Sequence, residues 1–143
     1  MSALNLSRHI GRVIPRISQQ IARNGLRMVS TTVPHYAIYD VNAEEDFNDK
    51  AFQCNKPVVV DFHASWCGPC KVLGPLLKKF IDESKEKVDL IKVDIDEAPD
   101  IALEHEVSAV PTLLFIQNGK IVDRSVGLVP ENDLKTKITE LSA

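Results

Sequence analysis

The sequence predicts an α/β fold in which a mixed β-sheet carries helices on both faces. Three observations predict it. Short apolar runs rich in β-branched residues alternate with stretches whose apolar residues recur at helical spacing. Near the end, Asn118-Gly119 joins two such runs with the two-residue signature of a β-hairpin. No internal repeat, low-complexity tract or linker divides the chain into further domains. The resulting order is βαβαβαββα, with crossover connections first and a hairpin last, which requires parallel and antiparallel neighbours in one sheet.

The N-terminal stretch is chemically distinct from the rest. Residues 1–39 carry five arginines and no Asp or Glu, so the net charge of −3 conceals +5 here and −8 over residues 40–143. On a helical projection Ile10, Val13, Ile14, Ile17 and Ile21 gather on one side, and Arg8, Arg12, Arg16, Arg23 and Arg27 on the other. Pro15 predicts a kink in that helix. With no continuous apolar core of the secretory kind, residues 1–30 read as a cleaved mitochondrial presequence, processed between Met28 and Val33. A disordered basic tail is the alternative, and the clean segregation of faces argues against it. The expected location is the mitochondrial matrix.

The folded domain is expected over residues 36–143, opening with a short strand at Tyr36-Ala37-Ile38-Tyr39. Asn42 and Glu45 have the spacing of a capping box for a helix running to about Phe52. Val58-Val59-Val60-Asp61-Phe62-His63 is too apolar for a surface segment and reads as a central strand. Leu73, Leu76, Leu77, Phe80 and Ile81 then fall at i, i+3, i+4, i+7 and i+8, the stripe of a helix packed on a sheet, which Gly74-Pro75 should kink. Val88 to Asp94 is a strand, followed by a short helix that starts at Pro99 and ends near Glu106. Thr112 to Ile116 and Ile121 to Val126 flank the hairpin turn, and Gly127 ends the second of them. Pro130 starts the last helix, with Leu134, Ile138 and Leu141 on its apolar face.

At 143 residues the chain can bury a core without disulfide staples, and its three cysteines do not form a framework. No stretch approaches the roughly twenty apolar residues that cross a bilayer, so no membrane association is expected of the domain. The acidic domain would repel phosphate backbones, which excludes nucleic acid as a partner. A monomer is expected.

The chemistry centres on Trp66-Cys67-Gly68-Pro69-Cys70. Two cysteines separated by two residues, between a buried strand and a helix, form a reversible dithiol/disulfide pair. The first turn of a helix has unpaired N–H groups and the positive end of the helix dipole, and both favour a thiolate. Cys67, flanked by residues of exposed type, is the candidate nucleophile, and Cys70, one turn inward, the resolving thiol. Pro69 suits a helix start, and Gly68 lets the backbone approach a partner chain. Asp61, a carboxylate in an apolar strand, should be partly buried with a raised pKa, fit to take a proton near neutral pH.

Val60-Asp61-Phe62, Trp66-Cys67-Gly68-Pro69-Cys70-Lys71 and Pro111-Thr112 together resemble the signature of the thioredoxin family, over roughly Tyr36 to Leu141. The resemblance implies the thioredoxin fold and protein-disulfide reductase activity without a bound cofactor. Electrons would come from NADPH through a flavin-containing thioredoxin reductase and pass to disulfide-containing proteins such as peroxiredoxins. It further implies that Asp61 lies beneath Cys70 and assists its deprotonation, that Lys92 modulates Asp61, and that Pro111 is a cis-proline. Val110 would pair through its backbone with an extended substrate, and Trp66, Gly68, Pro69, Gly127 and Val129 would rim the docking surface. His63 stands where bacterial members carry Trp, and in this it is similar to the animal mitochondrial branch. It is expected to pack under the active-site loop.

Zinc is the competing reading of the cysteine pair, but it needs two further ligands, and only Cys54, His63 and His105 could supply them. Cys54 alone reads as a small packing or surface residue. A purely structural disulfide is disfavoured in a reducing compartment. A binding module that holds a partner only in its dithiol form is the alternative from another class, and turnover of NADPH with a reductase and a disulfide protein separates it from a reductase.

Overall fold

The computed structural model describes residues 37–143, so the presequence, its processing region and Tyr36 lie outside the described residues. Five strands and four helices follow in the predicted order: β1 (Ile38–Asp40), α1 (Glu44–Phe52), β2 (Val58–His63), α2 (Gly68–Glu83), β3 (Asp89–Asp94), α3 (Pro99–Glu104), β4 (Thr112–Gln117), β5 (Lys120–Val126) and α4 (Glu131–Leu141). The spatial strand order is β1-β3-β2-β4-β5. β1, β3 and β2 run parallel, because helices carry the chain back between them, whereas β4 and β5 are antiparallel to their neighbours. Asn118 and Gly119 both take positive φ, 53° and 70°, as a hairpin turn that follows the strand twist requires.

Central β2 is apolar on both faces because both are covered. Val58, Val60 and Phe62 join Phe47, Ala51 and Ile101 in one core layer, under α1 and α3. Val59 joins Leu73, Leu77, Phe80, Ile81, Leu134, Ile138 and Leu141 in the other, so the stripes expected of α2 and α4 are the faces they bury. Strand alternation puts Asp61 and His63 on the Val59 side, towards α2.

One local expectation fails. No capping box forms at α1: the N-cap is Ala43, with no side-chain hydrogen bond, and Asn42 lies one residue too early. Glu44, Glu45 and Asp46 in the first turn supply the negative charge that favours this helix end instead. Pro75 sits inside α2, which continues through it to Glu83. Its missing N–H leaves the Lys71 carbonyl without its usual helical partner.

Candidate redox-active site

β2 ends at His63, and Ala64 accepts a hydrogen bond from the Cys67 N–H at 3.2 Å, turning the chain into α2. Cys67 is the N-cap of α2, and its sulfur accepts the backbone N–H of Cys70 at 3.2 Å. The first turn of α2 contains no acidic side chain, so nothing on the helix offsets the positive end of its dipole. Both features lower the free energy of negative charge on Cys67 when the pair is reduced. Here Cys67 and Cys70 form a disulfide with their Cα atoms 5.4 Å apart. Both are covered, Cys67 being 4% and Cys70 8% exposed, although Trp66, Gly68 and Pro69 around them are exposed. Solvent exposure of the sulfur-bearing residues therefore does not distinguish the two cysteines, and position on the helix does.

Cys70 faces inward. It lines a cavity of about 600 Å³ together with Asp61, His63, Lys92 and the α2 residues Lys71, Gly74 and Lys78. Asp61 is 2% exposed, and its Oδ1 has no hydrogen-bond partner among the described residues. Burial pushes its carboxyl up to about 6, against the smaller opposing pull of the Lys92 charge. Lys92 lies directly across from Asp61 in the β2–β3 register, while its ammonium pairs with Asp40 at 3.7 Å. It acts on Asp61 through its field. His63 borders the same cavity, and its Nδ1 sits 3.9 Å from the Asp94 carboxylate. Burial, then the Lys92 charge, hold its pKa below the ordinary histidine value.

On the outer side, the Val110–Pro111 bond is cis, and Val110 packs against the cluster formed by Ala64, Cys67 and Cys70. The Gly127 N–H donates to the Pro111 carbonyl at 2.7 Å, and Gly127 takes φ +85°, a backbone conformation side chains disfavour. A Cβ built on Gly68 would meet nothing within 4 Å, so its outer side is open. Trp66 is 66% exposed and donates from Nε1 to Asp96 Oδ2 at 2.9 Å. Val129, expected on the apolar rim, is instead buried in the α2–α4 core layer, and its neighbour Leu128 is exposed. Asp96, which holds the Trp66 indole, is a contributor the sequence reading missed.

Cys54 donates its thiol hydrogen to the Lys56 carbonyl and packs on the α1–α3 core layer, away from the cluster of Cys67 and Cys70. His105 lies among the rings of Phe47, Phe52 and Phe62. Among the described residues no three His, Cys, Asp or Glu side chains are grouped to hold a metal ion.

The thioredoxin family model matches residues 38–140. The chain belongs to the thioredoxin family. It is 48% identical over 115 residues to mitochondrial thioredoxin of Mus musculus, spanning 80% of this chain and 69% of that protein. Among solved structures, mitochondrial thioredoxin 3 of Saccharomyces cerevisiae in its oxidized form superposes with a TM-score of 0.66 at 36% identity, covering 72% of this chain and 94% of that one. A chain from a study of the thiol resolving mechanism in yeast mitochondrial 1-Cys peroxiredoxin via glutathione/thioredoxin systems gives 0.66 at 35% identity, covering 72% and 94%. The fold predicted from the sequence is thus the thioredoxin fold. The activity is protein-disulfide reduction by dithiol–disulfide exchange at Cys67 and Cys70, and the mitochondrial location read from the sequence agrees with these relatives.

Proposed function

We propose that the two cysteines divide the reaction, with Cys67 as nucleophile and Cys70 as resolving thiol. In the dithiol form the Cys67 thiolate attacks one sulfur of a substrate disulfide, and the other substrate sulfur leaves as a thiolate that takes a proton from water. Cys70 then gives its proton to Asp61 and attacks the Cys67 sulfur, expelling the second substrate thiolate. Two electrons have passed to the substrate, and the pair is left as the disulfide. Lys92 tunes the proton affinity of Asp61. Trp66, Gly68, Pro69, Val110, Pro111 and Gly127 receive the substrate chain, Val110 by backbone pairing. A thioredoxin reductase drawing on NADPH restores the dithiol, and peroxiredoxins are among the substrates. Residues 1–30 direct import and are removed, and residues 36–143 form the working domain.

The observation that carries this reading is the asymmetry of the pair: the Cys67 sulfur caps a helix N-terminus, whereas Cys70 borders a cavity it shares with the buried carboxylate of Asp61, whose Oδ1 has no hydrogen-bond partner among the described residues. Cys70→Ser should accumulate mixed disulfides with protein substrates through Cys67, because attack survives and resolution does not. Cys67→Ser should accumulate few. Equal trapping by both variants, or faster alkylation of Cys70 than of Cys67 in the reduced protein, would reverse the assignment.

A further inference from the structure

The segment between α3 and β4, residues 105–111, carries Val110 to its place against the two cysteines. At its root the His105 and Glu106 N–H groups bond back to the Ile101 and Leu103 carbonyls of α3, and the His105 ring packs among Phe47, Phe52 and Phe62. α3 has only six residues and no basic side chain in its last turn, so the carbonyls at its C-terminal end lack a cation of their own. Glu106 turns the chain with φ +53°, a conformation that costs a non-glycine residue free energy unless its surroundings hold it. Beyond the Val107 N–H, which bonds to the Ala102 carbonyl at 2.8 Å, Ser108 and Ala109 are exposed.

The missing cation comes from another element. Arg124 of β5 lies opposite Leu114 of β4, and Leu114 belongs to the α1–α3 core layer, so Arg124 stands on the face where α3 ends. Its guanidinium donates to the His105 carbonyl at 2.6 Å and to the Glu106 carbonyl at 3.4 Å. Two carbonyls of one chain reversal are thereby gripped by one planar fork, which a lysine cannot reproduce. Three residues further on, just past the end of β5, the Gly127 N–H holds the Pro111 carbonyl at 2.7 Å. The edge strand and the residue that follows it thus tie down the segment at both ends, Arg124 at the root and Gly127 beside the cis-proline.

We propose that Arg124 is a positioning residue for protein substrates: its grip on the His105 and Glu106 carbonyls fixes the segment that presents Val110 beside the disulfide. This rests on the reading that Val110 pairs with the substrate backbone. Arg124 touches neither cysteine, so it should matter for substrates that need the Val110 edge and not for a small disulfide that reaches Cys67 without it.

The test uses the full chain and Arg124→Gln, which keeps a polar side chain of moderate length and removes the charged fork. Amide hydrogen exchange should quicken at residues 105–110 and stay unchanged in β2 and α2. With a protein disulfide the KM should rise about fivefold, the scale of losing charge-assisted hydrogen bonds at an exposed site, with kcat little changed. Reduction of 5,5′-dithiobis(2-nitrobenzoate) by the dithiol form should proceed at the wild-type rate. Arg124→Lys should recover part of the KM. Unchanged exchange at residues 105–110 would overturn the clamp itself. Faster exchange with an unchanged KM would show that the clamp exists but that the Val110 edge is not where substrate docks. An equal loss on the small disulfide would mean general damage to the site and would overturn the positioning role.

Discussion

Asp61 offers the most quantitative test of how burial shapes this site. The carboxyl has an ordinary value of 3.8 in the unfolded chain and is pushed up to about 6 in the fold, where it is 2% exposed. Because the folded pKa is the higher one, the folded state holds the extra proton between these two values. Its contribution to stability is therefore fully present below 3.8 and is lost as the pH rises through about 6. At about 1.4 kcal/mol for each pH unit of separation, the loss amounts to about 3 kcal/mol, an upper figure because the cavity beside Asp61 can admit water. Replacing Asp61 by Ala removes the titrating group at the cost of a small void, so the variant should gain on the wild type from pH 4 to about pH 6 and the gain should level off by pH 7. Near neutral pH it should be the more stable protein. His63 and His105, whose folded pKa values are lowered, lose stability as the pH falls, but both proteins contain them. Denaturant titration of the oxidised proteins at a series of pH values gives the difference directly. Stability curves that run parallel from pH 4 to pH 7 would refute the reasoning, since they would mean Asp61 is charged and solvated throughout.

Two further tests probe the hairpin turn and the N-terminal segment. Gly119→Ala should destabilise the domain by about 1–3 kcal/mol, because a Cβ there would lie 2.8 Å from the Phe52 carbonyl oxygen and the residue has φ +70°; an unchanged thermal midpoint would show that the hairpin turn can shift at no cost. Residues 1–30 fused to a fluorescent reporter should carry it into mitochondria, with the fused segment removed on import. Diffuse cytosolic fluorescence would sink the presequence reading.

The elements were legible wherever one physical rule dominated. The five-residue stripe beginning at Leu73 could only be buried as a helix face, and four of its members are buried in the α2–α4 core layer, with Leu76 packed against it. Asn118-Gly119 demanded two left-handed residues and has them. Where a rule depended on an exact position, the reading slipped. Asn42 misses the N-cap by one residue, and a cap displaced by one residue is no cap. Val129 was placed on the docking rim by family resemblance, and it is buried in the α2–α4 core layer instead. Alternation along β5 cannot be carried past Gly127, whose φ of +85° redirects the chain, so parity beyond it carries no information about which side chain faces solvent.

The same contrast separates the parts of the site. Asp61 was visible because it breaks the pattern around it: a carboxylate in a strand buried on both faces is costly, and a costly residue signals chemistry. The cysteine pair was visible because its spacing and helix-start context point to thiol chemistry. Asp96 and Arg124 break nothing. An aspartate in a loop and an arginine on an edge strand are what those places ordinarily hold, yet one anchors the Trp66 indole from 30 positions away and the other holds the root of the segment behind Val110. Groups that perform chemistry must violate local rules to acquire unusual proton affinities. Groups that position a substrate need only reach across the fold, and the distance they reach is a property of the folded chain.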